Sequence, residues 1–159
     1  MRPSFQAIGL VILCVVVGCT APTPVKSPPS WTIVNADEFE FSAPPDFKAV
    51  PVHGIDSFVG EYRGDTITLV FDYGPYSDPL DYQGRPAYTS HTERIGGKVA
   101  KIVSYYNPVS GHHFDYAIGV YFPDLNGKGT RLTVYATCKT THDYETARTI
   151  FRTIRFKRQ

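Results

Sequence analysis

The sequence predicts an α+β domain, an antiparallel β-sheet built from successive hairpins with a C-terminal helix packed on one face. Three observations carry that reading. Apolar residues recur at every second position along most of the chain, as in Ile67, Leu69, Phe71 and Tyr73 or in Leu132, Val134, Ala136 and Cys138, and a period of two puts each set on one face of a sheet. Turn pairs cut these runs into short lengths, at Gly64-Asp65, Gly96-Gly97 and Asn126-Gly127, which is hairpin chemistry. Only the end of the chain changes period: Tyr144, Ala147, Ile150, Phe151 and Ile154 follow the spacing of one helix face.

The chain opens on a segment outside that domain. Arg2 precedes an apolar run, Ala7 to Val17, shorter than the ~20 residues a membrane-spanning helix needs. Val16-Val17-Gly18-Cys19 resembles the lipobox of bacterial lipoproteins, with a branched aliphatic residue three before the Cys and a small residue just before it. The resemblance implies cleavage before Cys19, which makes residues 1–18 a lipoprotein signal peptide, and acylation of the Cys19 sulfur and usually of its new amino group. Two or three acyl chains anchor stably where one is marginal. Thr20 stands where the inner-membrane retention signal has Asp. The expected location is therefore the bacterial cell envelope, at an outer membrane and facing the periplasm if the cell has two membranes. The alternative is an ordinary secretory signal in which Cys19 is incidental. Residues 19–36 hold Pro22, Pro24, Pro28 and Pro29 among Thr, Ser and Lys, the composition of an extended tether. Residues 37–159 remain for a single globular domain, with Trp31, Ile33 and Val34 marking where the chain first docks.

Within the domain, Phe39 and Phe41 alternate with polar residues in a short strand stopped by Pro44-Pro45. Phe47 to Val50 is extended but runs into Pro51, which confines it to a sheet edge. Phe58 to Arg63 and Ile67 to Tyr73 form the central hairpin, with Gly64-Asp65 expected to supply the positive φ of its turn. Gly74, Pro75, Ser77, Asp78 and Pro79 then stop the strand and open a long loop, with a helical turn expected over Pro79 to Gln83. Tyr88 to Ile95 and Lys98 to Tyr106 make a second hairpin. Phe114 to Phe122 and Leu132 to Cys138 make a third, joined by Pro123 to Gly127. Asp143 is placed to cap the helix, with Arg148 and Arg152 on its outer side near the negative end of the helix dipole. Ile154 to Phe156 ends the chain as helix or as a last short strand.

Composition excludes more than it assigns. There are 16 basic and 15 acidic residues; removing residues 1–18 removes Arg2 and no acid, leaving 15 against 15. That balance lacks the basic excess a general nucleic-acid binder needs. The charge is uneven along the chain: Asp37 to Asp81 holds ten acids against Lys48 and Arg63, while Tyr82 to Gln159 holds twelve bases against five acids. Either the halves neutralise each other across one sheet or they leave a dipolar surface. After processing Cys138 has no intramolecular partner and reads as a small apolar strand residue.

With the lipobox, the leading Phe39-Glu40-Phe41-Ser42-Ala43-Pro44, the successive hairpins and the closing stretch from Glu145 to Phe156, the chain resembles the PsbP-like group of small secreted domains, over roughly Glu38 to Phe156. The group includes photosystem extrinsic proteins and bacterial lipoproteins. The resemblance implies an antiparallel sheet with helices packed on it and carries over no catalytic residue. The chain is poorer in helix than the type members.

The best surface for recognition is the loop after the central hairpin, where Asp72, Asp78 and Asp81 stand among Tyr73, Tyr76 and Tyr82. Tyrosine is a rigid amphipathic contact residue and loops carry much of protein function, although the same residues also serve plain surface turns. The carboxylates match neither an EF-hand nor a distinctive glycosidase pair. His112-His113-Phe114-Asp115 is the candidate metal set: on a strand His113 and Asp115 point to one side and His112 to the other. A catalytic zinc takes three protein ligands, and the third, from His91 or Asp72, depends on the fold. The competing account is a polar loop running into a strand. Ser57 after Asp56 lies outside a GxSxG elbow. No cofactor is implied. The expected function is a membrane-anchored envelope lipoprotein acting as a non-catalytic binding or accessory module. Its expected partners are the bilayer, through acylated Cys19, and an envelope protein or glycan. The alternative is a metal-assisted or acid-base envelope hydrolase using His112, His113 and Asp115.

Overall fold

The computed structural model describes residues 27–106 and 116–157. In chain order the elements are β1 (Thr32–Ala36), β2 (Phe39–Ala43), β3 (Lys48–Val50), β4 (Phe58–Arg63), β5 (Ile67–Gly74), β6 (Thr89–Ile95), β7 (Lys98–Tyr106), β8 (Tyr116–Phe122), β9 (Arg131–Cys138), α1 (Thr141–Arg152) and β10 (Arg155–Phe156). All strand pairs are antiparallel. They form a seven-stranded sheet, β3-β4-β5-β9-β8-β7-β6, and a three-stranded sheet, β1-β2-β10. The three hairpins are present as the alternation predicts. They are not laid down in sequence order, because β5 pairs with β9, with Ile67 opposite Cys138 and Gly74 opposite Arg131. The first hairpin therefore joins the sheet through the third.

One face of the large sheet is the core. Leu69 and Phe71 of β5, Leu132 and Val134 of β9, Ile118 and Val120 of β8, and Ala100 and Ile102 of β7 are buried there, beneath Phe39 and Phe41 of β2 and Ala147, Ile150 and Phe151 of α1. Trp31 and Val34 pack against the same cluster, and the Ser27 and Ser42 hydroxyls meet at 2.9 Å. The folded body thus takes in residues 27–36, which composition alone assigns to the tether.

Local chemistry explains where the other elements depart from expectation. Asp143 is not the helix cap. Thr140 is, and Asp143 sits at the third helical position, where its carboxylate accepts from the Thr140 backbone N–H while its own N–H donates to the Thr140 hydroxyl. This reciprocal pair satisfies two otherwise orphaned donors. Arg152 lies in the last turn of the helix, as expected, and is also paired: Nε and Nη2 bind both oxygens of Glu93 on β6, at 2.8 and 3.0 Å. At the central hairpin neither Gly64 nor Asp65 takes positive φ; the turn closes through Gly64 N–H donating to Ile67 O. Gly96 and Gly97 do, at 56° and 80°. The third hairpin has a longer loop than expected, built on the Asp124 carboxylate accepting from the backbone of Asn126 and Gly127.

The other face of the large sheet is crossed by residues 75–88. They run without the helical turn expected over Pro79 to Gln83. Leu80, buried and at φ 57°, is the plug that seats this strap. It lies over Gly119, where a Cβ would come within 2.6 Å of a Leu80 methyl, and forms a second cluster with Val103 and Tyr121. Polar ties hold either side of the plug. The Thr133 hydroxyl donates to Asp78 O at 2.6 Å, Lys101 Nζ pairs with Asp81 at 2.6 Å, and Tyr106 N–H donates to Pro86 O at 2.8 Å.

Candidate functional site

Where the strap leaves the outer face of β5 and β9, a cavity of about 380 Å³ opens. Val70 and Asp72 of β5, Thr133 and Tyr135 of β9, and Tyr105 of β7 line it from the sheet; Asp78, Leu80, Tyr82 and Arg85 line it from the strap. Register explains the aromatic floor. β8 lies between β7 and β9 and places Ala117 opposite Tyr105 and Gly119 opposite Tyr135. With those small residues beneath, the two rings meet across the intervening strand, centroids 6.4 Å apart and 29° from parallel. Their hydroxyls are 2.8 Å apart. Tyr82 adds an edge-on ring 5.4 Å from Tyr105.

The polar groups of this cavity are mostly engaged with one another. The Tyr82 hydroxyl donates to Asp78, whose other oxygen accepts from Leu80 N–H at 2.7 Å. The Arg85 guanidinium lies 5.8 Å from the Tyr105 ring centre, within the range of a cation–π contact. Burial, then the bond to Asp78, raises the Tyr82 pKa, and burial, then the bond to Tyr105, raises that of Tyr135. Both phenols are therefore neutral around pH 7 and present ring faces and hydroxyls rather than bases. One group stands apart. Among the described residues, Oδ1 of Asp72 is buried without a hydrogen-bond partner, a costly state for a carboxylate oxygen.

The six loop residues read as a binding lip divide between surfaces. Asp72, Asp78 and Tyr82 come together here. Tyr73 faces the other way, packing against the core and lining a separate, more polar cavity of about 530 Å³ with Glu38, Lys98 and Asp124. Tyr76 is 74% exposed and lines neither. Asp81 is held by Lys101. Tyr105, Tyr135 and Arg85 were not part of the expected site. A signal for the first two was present, since each occupies the outward register of its strand, where Lys101 and Thr133 are its neighbours.

The chain is similar to the solution structure of cyanobacterial PsbP (CyanoP) from Synechocystis sp. PCC 6803, with a TM-score of 0.53 and 13% identity, over 87% of this chain and 99% of that one. The fold is PsbP-like. No family model and no curated protein matches the chain by sequence, and at 13% identity the PsbP likeness concerns architecture, not residue roles.

On this PsbP-like frame the other expected chemistry is dispersed or lies elsewhere. Cys19 and the metal candidates His112, His113 and Asp115 fall outside the described residues. Of the two possible third ligands, His91 is on β6, 3.7 Å from Glu93, and Asp72 is on β5, on the opposite face. Among the described residues no three His, Cys, Asp or Glu side chains converge to hold a metal ion. A larger cavity, about 670 Å³, lies between the β7–β8 end of the sheet and the start of α1. Tyr106 and Tyr116 line it, and among the described residues it holds no buried polar side-chain atom without a partner.

Proposed function

We propose that the protein is a non-catalytic binding or accessory module of the bacterial envelope, lipid-anchored through Cys19, which recognises its partner at the cavity between strap and sheet. The observation that carries this reading is the cavity itself. Three tyrosine rings and the Asp72 side chain, one of whose oxygens is buried without a partner, line a concave, mainly apolar space, the form small-molecule and side-chain sites take. Its hydroxyls all take part in hydrogen bonds to neighbouring groups and its buried phenols stay neutral, which suits recognition better than proton transfer. The anchor rests on Val16-Val17-Gly18-Cys19, and the PsbP-like architecture supports an accessory role.

The test is a photo-crosslinking residue at Val70, which lines the cavity and is 37% exposed, in the full chain in intact cells. A discrete adduct is expected from Val70 and not from the more exposed Val99, and Tyr135→Ala should abolish it. Adducts of the same kind from both positions, or none from Val70, would remove the cavity from consideration. Separately, Cys19→Ala should leave an uncut precursor or release the protein from the membrane; unchanged attachment would count against the lipid anchor.

A further inference from the structure

We infer that the cavity accepts an organic cation carried on an aliphatic stem, a primary ammonium or guanidinium such as a lysine or arginine side chain presents. The inference rests on the reading of that cavity as a binding site and names what enters it.

Tyr105 and Tyr135 share one hydrogen bond, which leaves one phenol O–H over; Tyr82 donates to Asp78, the second Asp78 oxygen takes Leu80 N–H, and Thr133 is bound to Asp78 O. The charged group left over is an acceptor, Oδ1 of Asp72. The partner Asp72 calls for is a donor, and a charged donor makes the stronger bond to a carboxylate. Rotation about χ2, a soft torsion in Asp, is what brings this oxygen to an entering group. A sugar fits the account poorly, since each of its several hydroxyls needs a partner and the lining has few to spare.

The walls agree. Val70, Leu80 and the Tyr135 ring suit a methylene stem, and the faces of Tyr105 and Tyr135 attract cations through their quadrupoles. The Arg85 guanidinium over Tyr105 is an internal example of that contact. Asp72 and Asp78 against Arg85 leave the lining with an excess of negative charge. An entering cation competes with Arg85 for the ring and meets no prior hydrogen bond at Asp72 Oδ1.

The experiment is calorimetric titration of the detergent-solubilised full chain with four probes: cadaverine, a blocked Gly-Lys-Gly peptide, its neutral norleucine counterpart and N-acetylglucosamine. Saturable binding of the lysine peptide supports a protein side chain as the source. Binding of cadaverine alone supports a free amine. Binding of the norleucine peptide as tight as that of the lysine peptide, binding of the sugar alone, or no binding at all would overturn the inference. Asp72→Asn should weaken the cation by about tenfold or more, the loss of a charge-assisted bond, whereas Arg85→Gln should tighten it by removing the internal competitor. Should Asp72→Asn fail to fold, Val70→Lys serves instead: an ammonium supplied from the exposed wall should block every cationic probe. If the in-cell Val70 crosslink persists while no cation binds and Asp72→Asn leaves that crosslink intact, the cavity remains a site and only the cation falls. If the crosslink is absent as well, both fall.

Discussion

Single residues show how closely the inner layer is fitted. Gly60 of β4 lies opposite Phe71 of β5, and the Phe71 ring occupies the space where a side chain at position 60 would begin; an added Cβ would meet ring carbons at 2.2 and 2.4 Å. Phe71 is buried between Phe39, whose ring meets it edge-on at 5.1 Å, and Phe58, tilted at 5.3 Å. The ring has nowhere to retreat. Gly60→Ala should therefore destabilise the domain by about 1–3 kcal/mol, the usual cost of overpacking, read as a lowered urea midpoint with an unchanged slope. A neutral Gly60→Ala would mean that Phe71 has another place to go. The sequence places Phe58, Gly60 and Tyr62 on one strand face; that a glycine there makes room for an aromatic ring is visible only once β4 and β5 are in register.

At the scale of elements, local pairings were legible and distant ones were not. The hairpins β4–β5, β6–β7 and β8–β9 follow from alternation and turn residues close in sequence. The β5–β9 pairing does not, because every amphipathic strand offers the same period of two and periodicity does not choose among partners. The strap shows the same limit. Gly, Pro, Asp and Ser mark a turn-rich segment whatever lies beneath it, so Asp72, Asp78 and Tyr82 could be named as a site while Tyr105 and Tyr135, brought under the strap by other strands, could not. Leu80 is the strap's one fully buried apolar anchor. Leu80→Ala should cost about 2–4 kcal/mol, and limited proteolysis should then cut first within residues 75–88; a first cut elsewhere would show that the polar ties hold the strap by themselves. The helix is fastened differently. The Arg152 fork on Glu93 is the main cause of a lowered Glu93 pKa, acting against burial, which raises it. A carboxylate whose pKa is depressed by folding contributes stability above its unfolded pKa and loses that contribution as pH falls through the folded value. Glu93→Gln should cost about 0.5–1 kcal/mol near neutrality for this partly exposed pair. The gap to the parent protein should close below about pH 4, under the ordinary Glu range. A gap that stays constant across that range in pH-dependent urea melts would assign the loss to packing instead of charge.

At the scale of the whole molecule, β5 and β9 are the seam on which both faces depend: the core is built on one side and the cavity and strap on the other. Cys138 closes that seam. It is fully buried, opposite Ile67 on β5 and Tyr116 on β8. Burial, with a smaller push from the Asp143 carboxylate, raises its thiol to a pKa of about 12. At neutral pH almost none of it is thiolate, and the thiolate is the reactive species. Reaching the sulfur requires parting β9 from its neighbours, which removes the core and the cavity floor together, so labelling at Cys138 is a measure of global opening. Peptide-mapped labelling of the full chain at pH 7 should be negligible in native buffer and should rise with urea in step with the unfolding transition. Leu80→Ala should expose the strap to protease at urea concentrations where Cys138 is still unlabelled, because the strap lies outside the seam. Labelling of Cys138 that ran ahead of unfolding, or that began together with strap cleavage, would show that the outer layer and the core open as one unit, and that the cavity cannot change shape without loosening the whole fold.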